Sequence, residues 1–279
     1  MKMKSLLFSG GFLLNSIIAF GQLAKGNLFI MGGGYRSPEL IQSLINTAKL
    51  SKNDYIVVLP MSSAEPDSSY YYIAKQLEKA CNNIIANLNF TKENVTDIKW
   101  VDSLKKARLI FITGGDQNRF MNIVLHTPVY DAIHFAYKNG ATIAGTSAGA
   151  ALMSKQMITG NELIGDTAYH ETFRKLQQGN IELQEGLGLI DSAIIDQHFV
   201  VRSRYNRLLS ALVKFPTYPC IGIDEATAVI VHGNNVIVAG ESQVVVITKP
   251  KNITVKNGLI KVKDVNFSIY TAGDSFKLK

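Results

Sequence analysis

Short apolar runs alternate, along the first half of the chain, with stretches whose apolar residues recur at helical spacing. The runs have the length and composition of buried strands, and the helical stretches are amphipathic. The predicted strands are Asn27–Met31, Tyr55–Leu59, Ile84–Leu88, Leu109–Thr113 and Ala141–Ala144. The predicted helices are Glu39–Leu50, Ser69–Asn82 and Phe120–Asn139. Repeated strand–helix units predict an α/β fold: a mostly parallel sheet with helices on both faces, in three α/β/α layers.

The second half of the chain has a different pattern. Residues 155–190 are irregular and are predicted to be an insertion that covers a substrate site. Ala193–Asp196 then resembles a strand, and Val201–Phe215 has helical spacing. From Cys220 onward, Val, Ile and Thr dominate between turn signals such as Asn257-Gly258. This pattern predicts C-terminal antiparallel hairpins added to the edge of the sheet.

The first 21 residues have the features of an export signal. Lys2 and Lys4 precede a mostly apolar stretch, and Ala19-Phe20-Gly21 offers small residues before Gln22 as a cleavage site. A membrane anchor is the alternative, but polar residues and glycines interrupt a run already short for a span. We therefore expect a signal peptide at 1–21, a single domain at 22–279, a secreted or periplasmic protein and no stable membrane association.

Composition narrows the classes of partner. The 279 residues are 47% hydrophobic, and removal of Lys2 and Lys4 would lower the formal charge from +7 to +5, with 27 basic against 22 acidic residues. The basic residues are scattered, so no nucleic-acid partner is expected. Cys81 and Cys220 are widely separated, which favours buried thiols over a disulfide. No Cys/His cluster has metal-ligand spacing, so we expect no metal and no cofactor.

Gly145-Thr146-Ser147-Ala148-Gly149 lies between an apolar run and a small-residue stretch typical of a helix start. In this context G-x-S-x-G places a serine on a strained turn with its hydroxyl exposed at the head of the helix. The backbone N–H of Ala148 and the positive helix end would then face a developing oxyanion. Ser147 is thus a candidate nucleophile, and a serine N-cap in a Gly/Ala-rich turn is the alternative.

A serine nucleophile needs a base, and the base needs an orienting group. Of the five histidines, His198 alone follows a predicted strand. This strand is expected to end at the same edge of the sheet as the strained turn of Ser147, which we call the serine elbow. The third group is Asp196, Asp224 or Glu225, and spacing along the chain does not separate these three.

Three arginines, Arg202, Arg204 and Arg207, begin the helix predicted after His198. A solvated helix face is the alternative, although cations at a helix N-terminus oppose the helix dipole. Arginines hold carboxylates bidentately through charge-assisted hydrogen bonds. The cluster therefore indicates an anionic substrate group.

Four blocks together resemble the cyanophycinases, serine peptidases with a class I glutamine-amidotransferase-like fold. The blocks are Gly114-Gly115-Asp116-Gln117, the serine elbow, Asp196-Gln197-His198-Phe199 with the three arginines, and Gly222-Ile223-Asp224-Glu225-Ala226-Thr227-Ala228. The resemblance covers roughly residues 26–245, in matching order. It implies a Ser147, His198 and Glu225 triad, which chooses Glu225 among the carboxylates.

The resemblance also implies the rest of the site. The oxyanion hole falls on Gly115 and Ala148, and the residues that hold the substrate are Gln117, Asp196, Gln197, Arg202, Arg204 and Arg207. The implied substrate is cyanophycin or another β-aspartyl peptide, the product is the β-Asp-Arg dipeptide, and the protein is a homodimer. An aspartyl dipeptidase of the same fold and a catalytically silent binding protein are the alternatives.

Overall fold

A computed structural model of the protein describes residues 26–165 and 170–278. The predicted signal segment, 1–21, lies outside the described residues. The helices are α1 Pro38–Ala48, α2 Pro66–Ala80, α3 Ile98–Lys106, α4 Gln117–Val124, α5 Pro128–Lys138, α6 Ala148–Ala151 and α7 Tyr205–Lys214. In the described ranges, no helix is long and apolar enough to cross a bilayer.

The strands alternate with these helices in the first half of the chain and follow one another in the second. They are β1 Asn27–Met31, β2 Tyr55–Leu59, β3 Ile84–Asn87, β4 Leu109–Ile112, β5 Thr142–Thr146, β6 Gln156–Glu162, β7 Ile181–Glu185, β8 Ile194–Gln197, β9 Cys220–Ile223, β10 Thr227–His232, β11 Asn235–Gly240, β12 Val244–Thr248, β13 Lys251–Lys256, β14 Leu259–Lys263, β15 Asn266–Tyr270 and β16 Ser275–Lys277.

The largest sheet has eight strands in the order β16-β11-β10-β1-β5-β4-β2-β3. Strands β1 to β5 pair in parallel, whereas β10, β11 and β16 extend the sheet antiparallel beside β1. The predicted α/β class and the C-terminal antiparallel strands are confirmed. The parallel order places the carboxyl ends of β1, β5 and β4 side by side, where ligands bind in such sheets.

Helices cover both faces of this sheet because its strands bury side chains alternately on each side. Residues such as Phe29 and Ile56 pack with α1 and α2, and residues such as Val57 and Ile110 pack with α3, α4 and α5. The three predicted layers are therefore present, with an apolar core on each side of the central sheet.

A second sheet, of four strands in the order β15-β12-β9-β8, was not predicted. One of its faces joins a core of the large sheet through Ile221 and Ile223, and the other packs on α7 through Cys220 and Val245. The strand that precedes His198 was expected to belong to the main sheet and to end at the same edge as the serine turn. It is instead an edge strand of this second sheet, beside β9.

Two other expectations change. The single helix predicted over Phe120–Asn139 is divided into α4 and α5, because Pro128 starts a new helix and His126 adopts a left-handed backbone with φ 59°. The irregular region 155–190 contains the antiparallel pair β6 and β7. Cys81 and Cys220 are both free thiols; Cys220 is buried as expected, whereas Cys81 is only partly buried.

Candidate active site

Ser147 occupies a strained turn between β5 and α6. Its backbone has φ 54° and ψ −113°, a region that residues with a Cβ rarely adopt. The turn is held by a 3.1 Å hydrogen bond from the Ser147 N–H to the carbonyl of Met31. A Cβ on Gly145 would lie 2.1 Å from the Gly149 carbonyl oxygen, and one on Gly149 would lie 2.4 Å from that of Ile112. Both glycines of the pentapeptide are therefore needed for the turn to close.

The imidazole of His198 joins two side chains that are distant in sequence. Its Nε2 lies 2.9 Å from Ser147 Oγ, and its Nδ1 lies 2.5 Å from Glu225 Oε1. The His198 N–H donates to the carbonyl of Gly32, which fixes the end of β8 against the end of β1. Serine, imidazole and carboxylate thus form a continuous chain of hydrogen-bonding contacts.

The three candidate carboxylates have separate positions. Glu225 contacts the imidazole. Asp224 accepts hydrogen bonds from the N–H groups of Val200 and Val201 and from the hydroxyl of Ser242. Asp196 forms a buried ion pair with Arg207. The geometry therefore separates three groups that spacing along the chain left equivalent.

Burial is the main influence on the protonation of His198. It lowers the pKa of the imidazole below its ordinary 6.5, and the cations of Arg202 and Arg204 lower it further. The hydrogen bond and charge of Glu225 act in the opposite direction. Because the pKa is lowered, the imidazole is neutral at pH 7, which is the form that can take a proton from a hydroxyl.

The two residues predicted to form the oxyanion hole belong to different segments: Gly115 lies in the loop after β4, and Ala148 follows Ser147 at the start of α6. Among the described residues, neither backbone N–H has a hydrogen-bond acceptor. Gly115 has φ 136°, and a Cβ there would lie 2.2 Å from the carbonyl oxygen of Ser62. A Cβ on Gly114 would lie 3.2 Å from that of Ser147. The loop after β4 therefore packs closely against Ser147, and its Gly115 lines the same cavity as the serine.

A cavity of about 350 Å³ opens beside Ser147. Its lining includes five of the six residues predicted to hold substrate, namely Gln117, Gln197, Arg202, Arg204 and Arg207. The helix predicted to begin with the arginines starts later, at Tyr205, so Arg202 and Arg204 lie in the preceding turns. These two arginines therefore line the cavity from the turns that precede α7.

Asp196, the sixth residue, does not line the cavity. Its side chain is 1% exposed, and both of its oxygens bind the guanidinium of Arg207. The direct substrate contact predicted for Asp196 is corrected to an indirect role. The carboxylate orients Arg207 and balances its charge, while the guanidinium remains at the cavity wall.

Two amide side chains in the cavity are oriented by hydrogen bonds. Gln117 Nε2 donates to the carbonyls of Ile158 and Thr159, at 2.8 Å each. Gln197 Oε1 accepts from Arg204 at 2.9 Å. These bonds leave the Gln117 oxygen to accept from a ligand and the Gln197 nitrogen to donate to one.

Several residues of the site were missed at the level of sequence. Thr159 and Asn161 line the cavity from β6, within the region predicted to be irregular. The short run Met157-Ile158-Thr159, with two β-branched residues, was the available signal. The contacts of the glycines after β1 were also missed: a Cβ on Gly33 would meet the His198 ring, and one on Gly34 would meet Glu225.

In the part of the chain that the structure describes, no group of three or more His, Cys, Asp or Glu side chains is arranged to hold a metal ion. The groups described at the site are a hydroxyl, an imidazole, a carboxylate and backbone donors.

The proteins that this chain resembles in sequence or in structure are cyanophycinases and other peptidases. Cyanophycinases of Nostoc sp. and of Trichormus variabilis are each 30% identical over 270 residues, which span 92% of this chain and 87% of the relative. A peptidase from an acI-B1 actinobacterium has a similar structure, with a TM-score of 0.66, 20% identity and coverage of 92% of this chain and 98% of that one. A peptidase E-like protein of Listeria monocytogenes has a TM-score of 0.53 and 18% identity, over 78% of this chain and 99% of that one.

The sequence profile of peptidase family S51 matches residues 28–239, which is most of the chain and includes the serine, the histidine and the carboxylate described above. The chain therefore belongs to peptidase family S51 and is a serine-type peptidase.

Proposed function

We propose that this protein is an exopeptidase that hydrolyses cyanophycin and releases β-Asp-Arg dipeptides. Cyanophycin has a poly-aspartate backbone with arginine amide-linked to each β-carboxyl group. The observation that carries the proposal is the contact chain of Ser147, His198 and Glu225 at the edge of an arginine-lined cavity. Relatives at 30% identity that are named cyanophycinase support the same substrate.

The proposed reaction is acyl transfer through the serine. His198 Nε2 removes the hydroxyl proton as Ser147 Oγ attacks the scissile carbonyl carbon. The imidazolium then gives this proton to the leaving amine, and water hydrolyses the acyl-enzyme by the reverse sequence. Glu225 accepts the Nδ1–H, which fixes the tautomer and stabilises the charged ring.

The negative charge on the tetrahedral intermediate needs donors that are already in place. We assign this role to the unbonded N–H groups of Ala148 and Gly115. Donors that are fixed before the reaction lower the barrier most, because they do not reorganise as charge develops.

The aspartyl portion of the substrate has a negatively charged carboxylate, and the arginines meet that requirement. Arg204 and Arg207 are almost completely buried, so their guanidinium groups are held firmly and only partly hydrated. Gln197 Nε2 adds a neutral donor, and Gln117 Oε1 is placed to accept from a substrate N–H. This set of groups would orient an aspartyl unit for attack by Ser147.

We also propose that residues 1–21 direct export and that the mature enzyme acts on polymer outside the cytoplasm. The basic start, apolar stretch and small residues before Gln22 support this proposal. Expression in a bacterial host followed by N-terminal sequencing of the exported fraction tests it. A chain that begins at Gln22 is the expected result, and an intact Met1 in the cytoplasmic fraction would contradict export.

The activity is tested by incubation of the purified protein, and of a Ser147→Ala variant, with cyanophycin and with Asp-X dipeptides. The expected result is release of β-Asp-Arg by the unmutated protein alone. Cleavage of Asp-X dipeptides without attack on the polymer would assign the protein to the aspartyl dipeptidases. Turnover of neither substrate would contradict the proposed function.

A further inference from the structure

The cavity has a second polar wall, formed by the start of α4 and by β6, that is rich in hydrogen-bond acceptors. Asp116 caps α4: its Oδ1 accepts from the N–H groups of Asn118 and Arg119, at 2.7 and 3.4 Å. Within the described chain, its other oxygen takes part in no hydrogen bond or ion pair. Asp116 is exposed and lines the cavity, so this oxygen is available to a ligand.

Asn118 lies two residues after Asp116, in the first turn of α4. Its Oδ1 is buried and, among the described residues, has no hydrogen-bond partner. A buried acceptor without a partner is unfavourable unless a ligand or an ordered water donates to it. Asn118 lines the cavity, so a reorientation of its amide on binding would let a donor group of the substrate satisfy this oxygen.

Glu182 adds negative charge behind the neighbouring part of the wall. Its Oε2 accepts from the Thr159 hydroxyl at 2.6 Å and from Asn161 Nδ2 at 2.8 Å, and both of these residues line the cavity. The hydrogen bond from Thr159 is the main cause of a lowered pKa for Glu182, and the bond from Asn161 acts in the same direction. The carboxylate is therefore ionised at neutral pH.

The side chain of Arg119 is a cation close to this wall, but it is directed towards the backbone of Ser62. Arg119 follows Asn118 in α4, and its Nη1 donates to the backbone carbonyl of Ser62 at 2.8 Å. It is not within ion-pair distance of Asp116. The charge of Asp116 is therefore not balanced by Arg119.

We propose that Asp116 and Asn118 form the site for the guanidinium group of the substrate's arginyl branch, with Glu182 behind the neighbouring part of the wall. A guanidinium group has five N–H donors and no acceptor, which complements a wall of unpaired acceptors. The cavity would then bind a zwitterionic unit, with its carboxylate on the arginines and its cation on this wall. The inference rests on the proposed function and identifies the groups that select arginine.

The test is a binding measurement that does not depend on turnover. Calorimetry on the Ser147→Ala variant compares β-Asp-Arg with β-Asp-citrulline, in which a neutral urea replaces the guanidinium. Asp116→Asn is then added, because asparagine caps a helix as well as aspartate does and removes only the charge. Asp97→Asn is the matched control: Asp97 caps α3 with its Oδ1 on two N–H groups in the same way, and it does not line the cavity.

We expect the Ser147→Ala protein to bind β-Asp-Arg at least about tenfold more tightly than β-Asp-citrulline, as one charge-assisted hydrogen bond would give. Asp116→Asn should remove most of that preference, Glu182→Gln should reduce it, and Asp97→Asn should leave it unchanged. Equal binding of the two dipeptides, or a preference that survives Asp116→Asn, would overturn the inference. Neither result would contradict the proposed function if the unmutated protein still releases β-Asp-Arg from the polymer.

Discussion

Gly33 lies directly against the imidazole of His198. A Cβ at position 33 would lie 2.3 Å from Cε1 and 2.4 Å from Nε2 of that ring, where real Cβ atoms do not occur. The loop after β1 thus forms a wall that holds the ring between Ser147 and Glu225. The position of the proposed base depends on the absence of one methyl group.

Replacement of Gly33 by alanine should therefore reduce activity much more than it reduces stability. The added methyl group would push the imidazole out of line, and we expect kcat/KM to fall about a hundredfold or more, the scale of a 1 Å misplacement of a reacting group. Steady-state kinetics and thermal unfolding of the same preparation test this expectation.

Gly273→Ala is the matched control, because Gly273 also has positive φ, 91°, but nothing lies within 4 Å of the Cβ it would gain. The Gly273→Ala variant therefore has a similar backbone strain but no contact with the imidazole. If Gly33→Ala and Gly273→Ala have the same activity, the wall has no role in placing the ring.

The pH dependence of kcat/KM should follow the lowered pKa of His198. Its neutral form is the proposed base, so activity is lost as the ring is protonated, and the midpoint of the acid limb should lie below pH 6.5. Arg202→Gln removes a cation that lowers this pKa. The midpoint should therefore move to higher pH in that variant.

Lys214→Gln removes a cation at the far end of α7 and should leave the midpoint in place. An acid limb centred at or above pH 6.5 in the unmutated protein would contradict the assignment of His198 as a base of lowered pKa.

Glu225 and Asp224 are adjacent carboxylates, and we expect substitution of Glu225 to reduce kcat and substitution of Asp224 to reduce stability. Glu225→Gln keeps the shape of the side chain but presents the wrong hydrogen-bonding pattern to Nδ1, so kcat should fall by about 10⁴, as for the buried carboxylate of other serine triads. Its thermal stability should change little, because Glu225 is about one-third exposed.

Asp224→Asn should mainly affect the free energy of unfolding. Asp224 is buried and accepts from two backbone N–H groups and one hydroxyl. Weakening these bonds should cost about 1–3 kcal/mol, with a smaller effect on kcat than Glu225→Gln has. Denaturant unfolding and kinetics on both variants test the contrast, and a larger loss of kcat in Asp224→Asn would reverse the two roles.

The Asp196–Arg207 pair is buried to within a few per cent and should be strongly coupled. Arg207→Met alone removes both hydrogen bonds of the guanidinium and leaves the buried carboxylate with Arg204, at 3.9 Å, as its ion-pair partner. The expected cost is about 3 kcal/mol in the free energy of unfolding, at the low end for a broken buried pair. The double variant Asp196→Leu with Arg207→Met should recover much of that loss. Additive effects of the two changes in denaturant unfolding would argue against a coupled pair.

The predictions from sequence succeeded where the determinant was local. Among the described residues, the apolar runs identified all five parallel strands of the large sheet, and G-x-S-x-G identified the serine turn. Both depend on neighbours within a few residues. Helix α3 and the hairpin of β6 and β7 were missed. The second sheet was missed as well, because it pairs the strand before His198 with β9, a partner more than twenty residues further along the chain.

The three candidate carboxylates show most clearly what could not be predicted from the sequence. Asp196, Asp224 and Glu225 are all close to His198 or to a strand end in sequence, and only resemblance to known peptidases favoured Glu225. The described structure separates them by the groups they contact: an arginine, backbone N–H groups and the imidazole. Asp196 is the residue whose predicted substrate contact had to be changed, since the sequence gives no sign that Arg207 reaches back to cover it.

The sequence by itself determined the class of fold, the serine turn and the residues able to carry acyl transfer, because strand periodicity and turn geometry are encoded in short stretches. Only the tertiary structure decided which of those residues meet. The meeting of Ser147, His198 and Glu225 is set by packing of the second sheet against the carboxyl ends of β1 and β5. Such long-range contacts depend on the summed burial of many side chains, and no single stretch of the chain specifies that sum.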